Sequence, residues 1–107
     1  MVAADFGVVN TELPNTLVSI TGNVNSYTQV TLLNKSTGAD ATADYIVTAD
    51  NGSDTSNYID LGINGSQYSV SGWSINGADD GYLYNNDGGL AIGTANTTLY
   101  ITPGEGL

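Results

Sequence analysis

Apolar and polar residues alternate over short runs along most of the chain. In the clearest run, Ile59, Leu61 and Ile63 share one side of an extended backbone, and Asp60 and Gly62 share the other. No segment places apolar residues at helical spacing over three turns. The pattern therefore predicts an all-β chain with eight short strands, at residues 17–21, 27–33, 44–49, 58–63, 68–75, 81–84, 90–92 and 97–102.

Turn-forming sequences separate the predicted strands. Asn51-Gly52, Asn64-Gly65 and Asn76-Gly77 favour the positive φ angles of tight hairpins, and Asp87-Gly88-Gly89 has the same character. Because hairpins join neighbouring antiparallel strands, we predict a short-stranded antiparallel sandwich or a β-prism-like module.

The two prolines bracket this patterned region. Before Pro14 the pattern is irregular, which indicates an N-terminal arm or leader at residues 1–14, and its lack of a basic stretch argues against a signal peptide. The β-module is expected at residues 15–102. After Pro103 no closing strand follows, so residues 103–107 are expected to be a C-terminal linker or a cut end.

Composition and charge narrow the classes of function. The 107 residues include eleven acidic residues and one basic residue, which gives a net charge of -10. This charge argues against binding to nucleic acid or to anionic membranes, since both need Lys or Arg, and no apolar run has the ~20 residues of a membrane span. Without His or Cys the chain has no imidazole base, thiolate nucleophile or His/Cys metal site. We therefore predict no enzymatic activity and no cofactor; the one catalytic option left is a carboxylate pair that acts on glycosidic bonds.

Two acidic loops are candidate calcium sites, because hard oxygen ligands in a turn suit that ion. Asp50 and Asp54 flank one glycine-containing turn, and Asp79 and Asp80 form the second pair. Neither loop has the EF-hand spacing or a Glu that would complete the coordination shell. Ordinary hairpin turns are therefore favoured over metal sites.

Aromatic side chains are candidate contacts for a glycan, because their rings can stack on sugar faces. The candidates are Trp73, Tyr68 and Tyr82, although packing in a core or an interface is the favoured interpretation of all three. Asp60 is a candidate half of a glycosidase pair, but its place in the alternating run favours the solvated side of a sheet.

The supply of large apolar residues predicts an oligomer. The chain has 25 Leu, Ile, Val and Phe residues, which is few for an independent core. We therefore predict a homotrimer whose copies share apolar surface around one axis. The expected shared surface is either the face of Ile59, Leu61 and Ile63 or a strip of Leu83, Leu90 and Leu99.

Four sequence blocks occur in an order that resembles a module of tail fibre and other virion structural proteins of tailed bacteriophages. The blocks are residues 44–54 (DYIVTADNGSD), 58–64 (YIDLGIN), 80–84 (DGYLY) and 90–94 (LAIGT), and residues 25–34 resemble the opening of that module. The resemblance covers residues 24–102. It departs at the C-terminus, where Pro103-Gly104-Glu105-Gly106 replaces a further strand and a Gly-Gly turn.

This resemblance implies a non-enzymatic building block of an elongated, trimeric, fibre-like assembly in the virion, an extracellular particle, with other virion proteins as partners. Its function would be assembly and surface display. Two alternatives stay open. One is a receptor-binding tip that contacts a host surface glycan through Trp73 and nearby tyrosines, and the less favoured one is a fragment of a polysaccharide depolymerase.

Overall fold

A computed structural model of the chain describes residues 4–7 and 13–104. These residues form two β-sheets and no α-helix, so the prediction of an all-β chain is confirmed. Within the described ranges, no helix is long and apolar enough to cross a membrane. The chain divides into two units, residues 1–31 and residues 32–107.

The first unit contains a two-stranded parallel sheet. Strand β1 (Ala4–Gly7) pairs with strand β2 (Val18–Thr21), so the expected antiparallel arrangement is wrong for this sheet. Gly7 has a φ of 88°, and a Cβ at this position would collide with the carbonyl oxygen of Thr21. Strand β2 confirms the strand predicted at residues 17–21. Strand β1 lies where the irregular pattern predicts an arm.

The second unit contains a three-stranded antiparallel sheet. Strand β3 (Thr42–Ser53) pairs with β4 (Ser56–Asn64), and β4 pairs with β5 (Gly81–Asn85), so β4 is the central strand. Each of the three confirms a predicted strand and extends beyond it. Val, Ile, Thr and Tyr are frequent in these strands because branched and aromatic side chains fit a pleated surface.

Alternation along the three strands gives this sheet two different faces. The face that we call the apolar face carries uncharged side chains, among them Tyr45, Val47, Ile59, Leu61, Ile63 and Leu83. The opposite face, which we call the polar face, carries Asp44, Ile46, Thr48, Tyr58, Asp60, Tyr82 and Tyr84, with Gly62 at its centre.

The apolar face is open to solvent. Leu61 is 59% exposed and Val47 is 68% exposed, although both occupy positions that a folded sheet normally covers. Within the described residues, the one buried residue is polar: Asn64, which is 3% exposed. The apolar side chains of this unit therefore lie at its surface or are half-buried.

The hairpin between β3 and β4 turns at Asp54 and Thr55, beyond the predicted Asn51-Gly52 turn. Ser53 pairs with Ser56 across this turn, and the Ser53 hydroxyl accepts a hydrogen bond from the Thr55 amide at 3.2 Å. The predicted position is wrong because these local side-chain bonds close the turn. Asn51 and Gly52 lie inside β3, where the pairing register shifts.

Four further predicted strands, at residues 27–33, 68–75, 90–92 and 97–102, are not strands in this structure. Strand propensity marks side chains that fit a sheet, but a strand also needs a neighbouring backbone whose N–H and C=O groups complete the ladder. Residues 68–75 instead turn over the polar face of the sheet, where Trp73 packs beside Tyr82.

Candidate functional site

A cleft of about 240 Å³ on the polar face brings carboxylates and aromatic rings together. Strands β3 to β5 contribute one wall, and the segment between β4 and β5 contributes Tyr68 and Trp73. The carboxylates that line the cleft are Asp40, Asp44 and Asp60, and the remaining lining residues are Thr42, Tyr58, Tyr82 and Tyr84.

A second cleft of about 580 Å³ continues along the same face. It shares Asp44, Tyr58 and Asp60 with the first cleft and reaches Asp54 at the β3–β4 turn. Ile46 lies between the two ends and is 50% exposed. The two clefts therefore form one elongated surface with carboxylates at both ends and an aliphatic side chain between them.

The Asp44 carboxylate accepts hydrogen bonds from two hydroxyl groups. The Tyr82 hydroxyl donates a hydrogen bond to its Oδ1, and the Thr42 hydroxyl donates to its Oδ2 at 2.5 Å. Burial is the main cause that raises the pKa of Tyr82 well above its usual value. The hydrogen bond from Tyr82 to Asp44 and the negative charges of Asp44 and Asp60 raise it further. The Tyr82 hydroxyl therefore stays protonated and continues to donate at neutral pH.

Asp60 is the second member of a carboxyl pair. Asp44 pairs with Gly62 in the ladder and Asp60 with Ile46, so the two aspartates are diagonal neighbours on the polar face. Burial, followed by the hydrogen bond and the negative charge of Asp44, raises the pKa of Asp60 to about 6. Asp60 Oδ1 is buried and has no hydrogen-bond partner among the described residues. Below about pH 6 the Asp60 carboxyl is protonated and uncharged, and above it the carboxyl is ionised.

Gly62 is required where the side chains of two neighbouring strands meet. It lies between Asp44 on β3 and Tyr82 on β5 in the ladder. A Cβ at this position would collide with Asp44 Oδ1 and would lie 2.6 Å from the Tyr82 hydroxyl oxygen. The absence of a side chain at Gly62 therefore allows the hydrogen bond between the two outer strands.

Replacing Gly62 by alanine is expected to break the Tyr82–Asp44 hydrogen bond and to leave the sheet intact, because the colliding atoms are side-chain ends. Loss of a bond to a charged group costs about 1.5–3 kcal/mol, and alanine recovers about 0.5–1 kcal/mol of strand stability. We expect a net loss of about 1 kcal/mol in chemical denaturation and a lower Tyr82 pKa in an ultraviolet titration. Gly89→Ala is the control, since a Cβ there meets no atom within 4 Å; equal losses in both variants would contradict the assignment.

Asn76 anchors the segment that carries Trp73. Its Oδ1 accepts hydrogen bonds from Trp73 Nε1 at 2.7 Å and from Asn64 Nδ2 at 3.0 Å, and its Nδ2 donates to the Gly81 carbonyl at 3.0 Å. The buried Asn64 also donates to the Gly77 carbonyl at 2.8 Å. These bonds hold the indole in one position over the polar face.

The aromatic rings meet at steep angles. The Trp73 ring centroid lies 5.3 Å from that of Tyr82 and 5.2 Å from that of Tyr84, with interplanar angles of 61° and 69°. Tyr58 and Tyr84 are 6.5 Å apart at 60°. The two pairs that include Trp73 are edge-to-face, and such pairs contribute about 0.5–1.5 kcal/mol each beyond the buried area. The rings of Trp73, Tyr82 and Tyr84 therefore pack at steep angles to one another in the cleft that Asp44 and Asp60 line.

The structure brings the three glycan candidates into one place, since Tyr68, Trp73 and Tyr82 all line the smaller cleft. Contact with a glycan stays a prediction. Asp60 lies in the same cleft and is half-buried, although the alternation favoured a solvated side chain. Sequence reasoning missed Asp44, because its closeness to Asp60 depends on the β3–β4 register.

The four candidate metal ligands belong to turns or exposed strand ends. Asp80 Oδ2 accepts a hydrogen bond from the Gly77 amide at 2.9 Å, and Asp79 has a φ of 63° in the same turn. Asp50 and Asp54 are exposed. Over residues 4–7 and 13–104, no three acidic, His or Cys side chains form a group that could hold a metal ion.

Removal of divalent metal is expected to leave stability unchanged, because neither acidic loop offers a closed set of ligands. The thermal midpoint should be the same with and without EDTA. A fall of about ten degrees on adding EDTA, restored by calcium, would show that one of the acidic loops binds the ion.

Comparisons of the chain with protein-family models, with curated proteins and with solved structures find no match.

Proposed function

We propose that this chain is a non-enzymatic structural module of a bacteriophage virion, part of a tail fibre or a similar appendage, that forms a homotrimer and serves assembly and surface display. The observation that carries the proposal is the apolar face of β3 to β5, which stands open to solvent in the single chain. The resemblance of the four sequence blocks to phage fibre proteins supports the virion setting and other virion proteins as partners.

The chemistry of the apolar face favours another copy of this chain as its partner. Tyr45, Leu61 and Leu83 lie opposite one another across the three strands, and each is about half exposed. The acidic residues of the paired ladder, Asp44 and Asp60, lie on the other face. Copies that meet through the apolar face therefore bury apolar area without bringing carboxylates together, despite a net charge of -10 on each.

The unpaired extended segments support the same arrangement. Residues 27–33, 90–92 and 97–102 have strand-like sequences but no ladder partner among residues 4–7 and 13–104. Several of their apolar side chains, including Leu33, Ile92 and Ile101, are more than half exposed. In the proposed trimer these segments pair with neighbouring copies, which would supply the missing backbone partners.

The carboxyl pair supports a non-enzymatic assignment. Glycoside hydrolysis needs two carboxyl groups about 5–9.5 Å apart, so that the sugar or a water fits between them. In this pair, both oxygens of Asp44 already accept hydrogen bonds from hydroxyl groups, those of Thr42 and Tyr82. Hydrogen bonds to its charged form make this carboxylate a weaker base and a weaker nucleophile.

Sedimentation equilibrium of the intact chain tests the proposal. We expect a mass near 33 kDa, three times the chain mass of 11.0 kDa, and a thermal midpoint that rises with protein concentration and with salt. A well-folded, monodisperse 11.0 kDa monomer at high micromolar concentration would overturn it. An antibody against the chain should label an elongated appendage on phage particles that carry it, and labelling elsewhere would refute the fibre assignment.

A further inference from the structure

The chain contains three Asn-Gly sequences, Asn51-Gly52, Asn64-Gly65 and Asn76-Gly77. In such a sequence the backbone nitrogen of the glycine can attack the asparagine side chain, because glycine has no side chain of its own to hinder the approach. The attack needs an asparagine amide that can rotate and a glycine nitrogen that is released from its hydrogen bond. The surroundings of each sequence in the fold therefore decide which asparagine reacts.

Asn76-Gly77 is held at both of the reacting groups. Asn76 Nδ2 donates a hydrogen bond to the Gly81 carbonyl at 3.0 Å, and its Oδ1 accepts one from Trp73 Nε1 at 2.7 Å. The Gly77 amide, whose nitrogen would attack, donates to Asp80 Oδ2 at 2.9 Å. Because these bonds must open before the two groups can meet, the turn protects Asn76.

Asn64-Gly65 is protected in the same way and is also closed to water. Asn64 is 3% exposed, and its Nδ2 donates to Asn76 Oδ1 at 3.0 Å and to the Gly77 carbonyl at 2.8 Å. The Gly65 amide donates to the Ala41 carbonyl at 2.9 Å. Both reacting groups are therefore engaged, and the water that completes the reaction has no access.

Asn51-Gly52 instead lies at an irregular part of the sheet. Asn51 is exposed and Gly52 is half-buried. The pairing register shifts between Thr48 and Ser53, so residues 49–52 lie outside the regular ladder. A Cβ at Gly52 would lie 2.5 Å from Thr48 Cγ2, so the local packing requires glycine at this position. The fold thus keeps the reactive dipeptide and leaves its asparagine open to solvent.

We propose that Asn51 is the site of spontaneous deamidation in the folded chain, which converts it to a mixture of aspartate and isoaspartate. The Gly52 nitrogen attacks Asn51 Cγ and loses its proton to water, and the side-chain nitrogen leaves as ammonia, which closes a succinimide ring. One water molecule then opens the ring at either carbonyl, without oxidation or reduction, and the new carboxylate lies next to Asp50 in the chain. This site is formed within one hairpin, so it goes beyond the proposed assembly function and does not depend on it.

Peptide mapping of the intact protein after incubation in heavy-oxygen water at neutral pH tests the proposal. Cleavage after aromatic residues places the three asparagines on separate peptides, residues 46–58, 59–68 and 74–82. Each deamidation takes up one oxygen atom from water, so the label separates conversion during incubation from conversion during digestion. We expect Asn51 to convert at least about tenfold faster than the other two, which corresponds to about 1.4 kcal/mol for opening the protected turns.

Unfolding in urea is the matched control, because it removes the hydrogen bonds and leaves all three sequences in the same chain, where their rates should become similar. Asp80→Ala should speed conversion of Asn76, since it releases the Gly77 amide, and should leave the rate at Asn51 unchanged. Circular dichroism checks that this variant is folded.

The proposal is overturned if Asn51 converts no faster than Asn64 and Asn76 in the folded protein. It is equally overturned if the advantage of Asn51 persists in urea, which would assign it to the neighbouring sequence, or if Asp80→Ala leaves the rate at Asn76 unchanged, which would contradict the protection. A monomeric protein that converts at Asn51 would refute the proposed trimer and leave the deamidation site standing.

Discussion

Replacing Leu61 by aspartate is expected to dissociate the proposed trimer and to unfold the chain. Leu61 lies at the centre of the apolar face, between Tyr45 on β3 and Leu83 on β5. Burial of a leucine side chain contributes about 1.5–3 kcal/mol per chain, and an unpaired carboxylate at the same place adds a desolvation cost of several kcal/mol. Because a symmetric trimer repeats the change three times, the combined cost is comparable to the whole stability of a small domain.

Ile46, on the polar face of the same sheet, offers a matched control for the substitution of Leu61. Ile46 is 50% exposed and Leu61 is 59% exposed, so the two aliphatic side chains have similar solvent exposure in the single chain. Leu61→Asn should lower the sedimentation mass and the thermal midpoint, whereas Ile46→Asn should leave the mass unchanged. Equal effects of the two substitutions, or a folded trimer of the Leu61→Asp variant, would show that the apolar face is not the contact between copies.

The face separation of the sheet could be read from the sequence because it depends on local alternation. The alternation predicts Ile59, Leu61 and Ile63 on one face and Asp60 and Gly62 on the other, and β4 has this arrangement. A side-chain period of two is a property of any extended backbone, so no information from distant residues is needed. The predicted strands that overlap β2, β3, β4 and β5 are confirmed for the same reason.

The position of the first hairpin turn could not be read from its dipeptide. Asn-Gly sequences favour positive φ angles, but Asn51 and Gly52 lie inside β3 and the turn occurs at Asp54 and Thr55. Hydroxyl bonds between Ser53 and Ser56 compete with the intrinsic preference of Asn-Gly. Propensity therefore located the hairpin to within a few residues and left its register undetermined.

The candidate site depends on the pairing between strands, which cannot be deduced from the alternation of side chains along one strand. Residue type alone makes Tyr68, Trp73 and Tyr82 candidates, and the fold places them in one cleft. Asp44 joins them because the β3–β4 register makes it a diagonal neighbour of Asp60. The special role of Gly62 appears only when both neighbouring strands are in place, since its missing side chain leaves room for Tyr82 to reach Asp44.

Stability is expected to fall as pH rises from 5 to 7, because of Asp60. Its pKa of about 6 in the folded chain is above the value of 3.8 for an unperturbed aspartate. The folded state therefore binds more protons than the unfolded state between these values, and its stability declines as the Asp60 proton is lost. This contribution is fully present below about pH 4 and absent above about pH 7.

Solvent screening limits how much the protonation of Asp60 contributes to the free energy of unfolding. A shift of about two pKa units corresponds to a ceiling of roughly 3 kcal/mol, and screening of the half-buried carboxyl reduces this to about 1 kcal/mol per chain. The proposed trimer would lose that amount three times. The other ionisable groups that line a cleft with Asp60 are Asp40, Asp44, Asp54 and the tyrosines 58, 68, 82 and 84. Tyr82 stays protonated through this pH window, because its pKa is raised above the usual value.

Urea denaturation at pH 5, 6 and 7, at one protein concentration and one ionic strength, measures the effect. The unmodified chain should have a lower midpoint at each higher pH. Asp60→Asn should remove most of this slope and raise the midpoint at pH 7, because the amide keeps a hydrogen-bond donor beside Asp44 without adding a charge. Asp50→Asn changes the net charge equally and should keep the slope of the unmodified chain. A slope that survives in Asp60→Asn would show that the carboxyl pair is not the group that titrates, since ordinary aspartates are already ionised in this range.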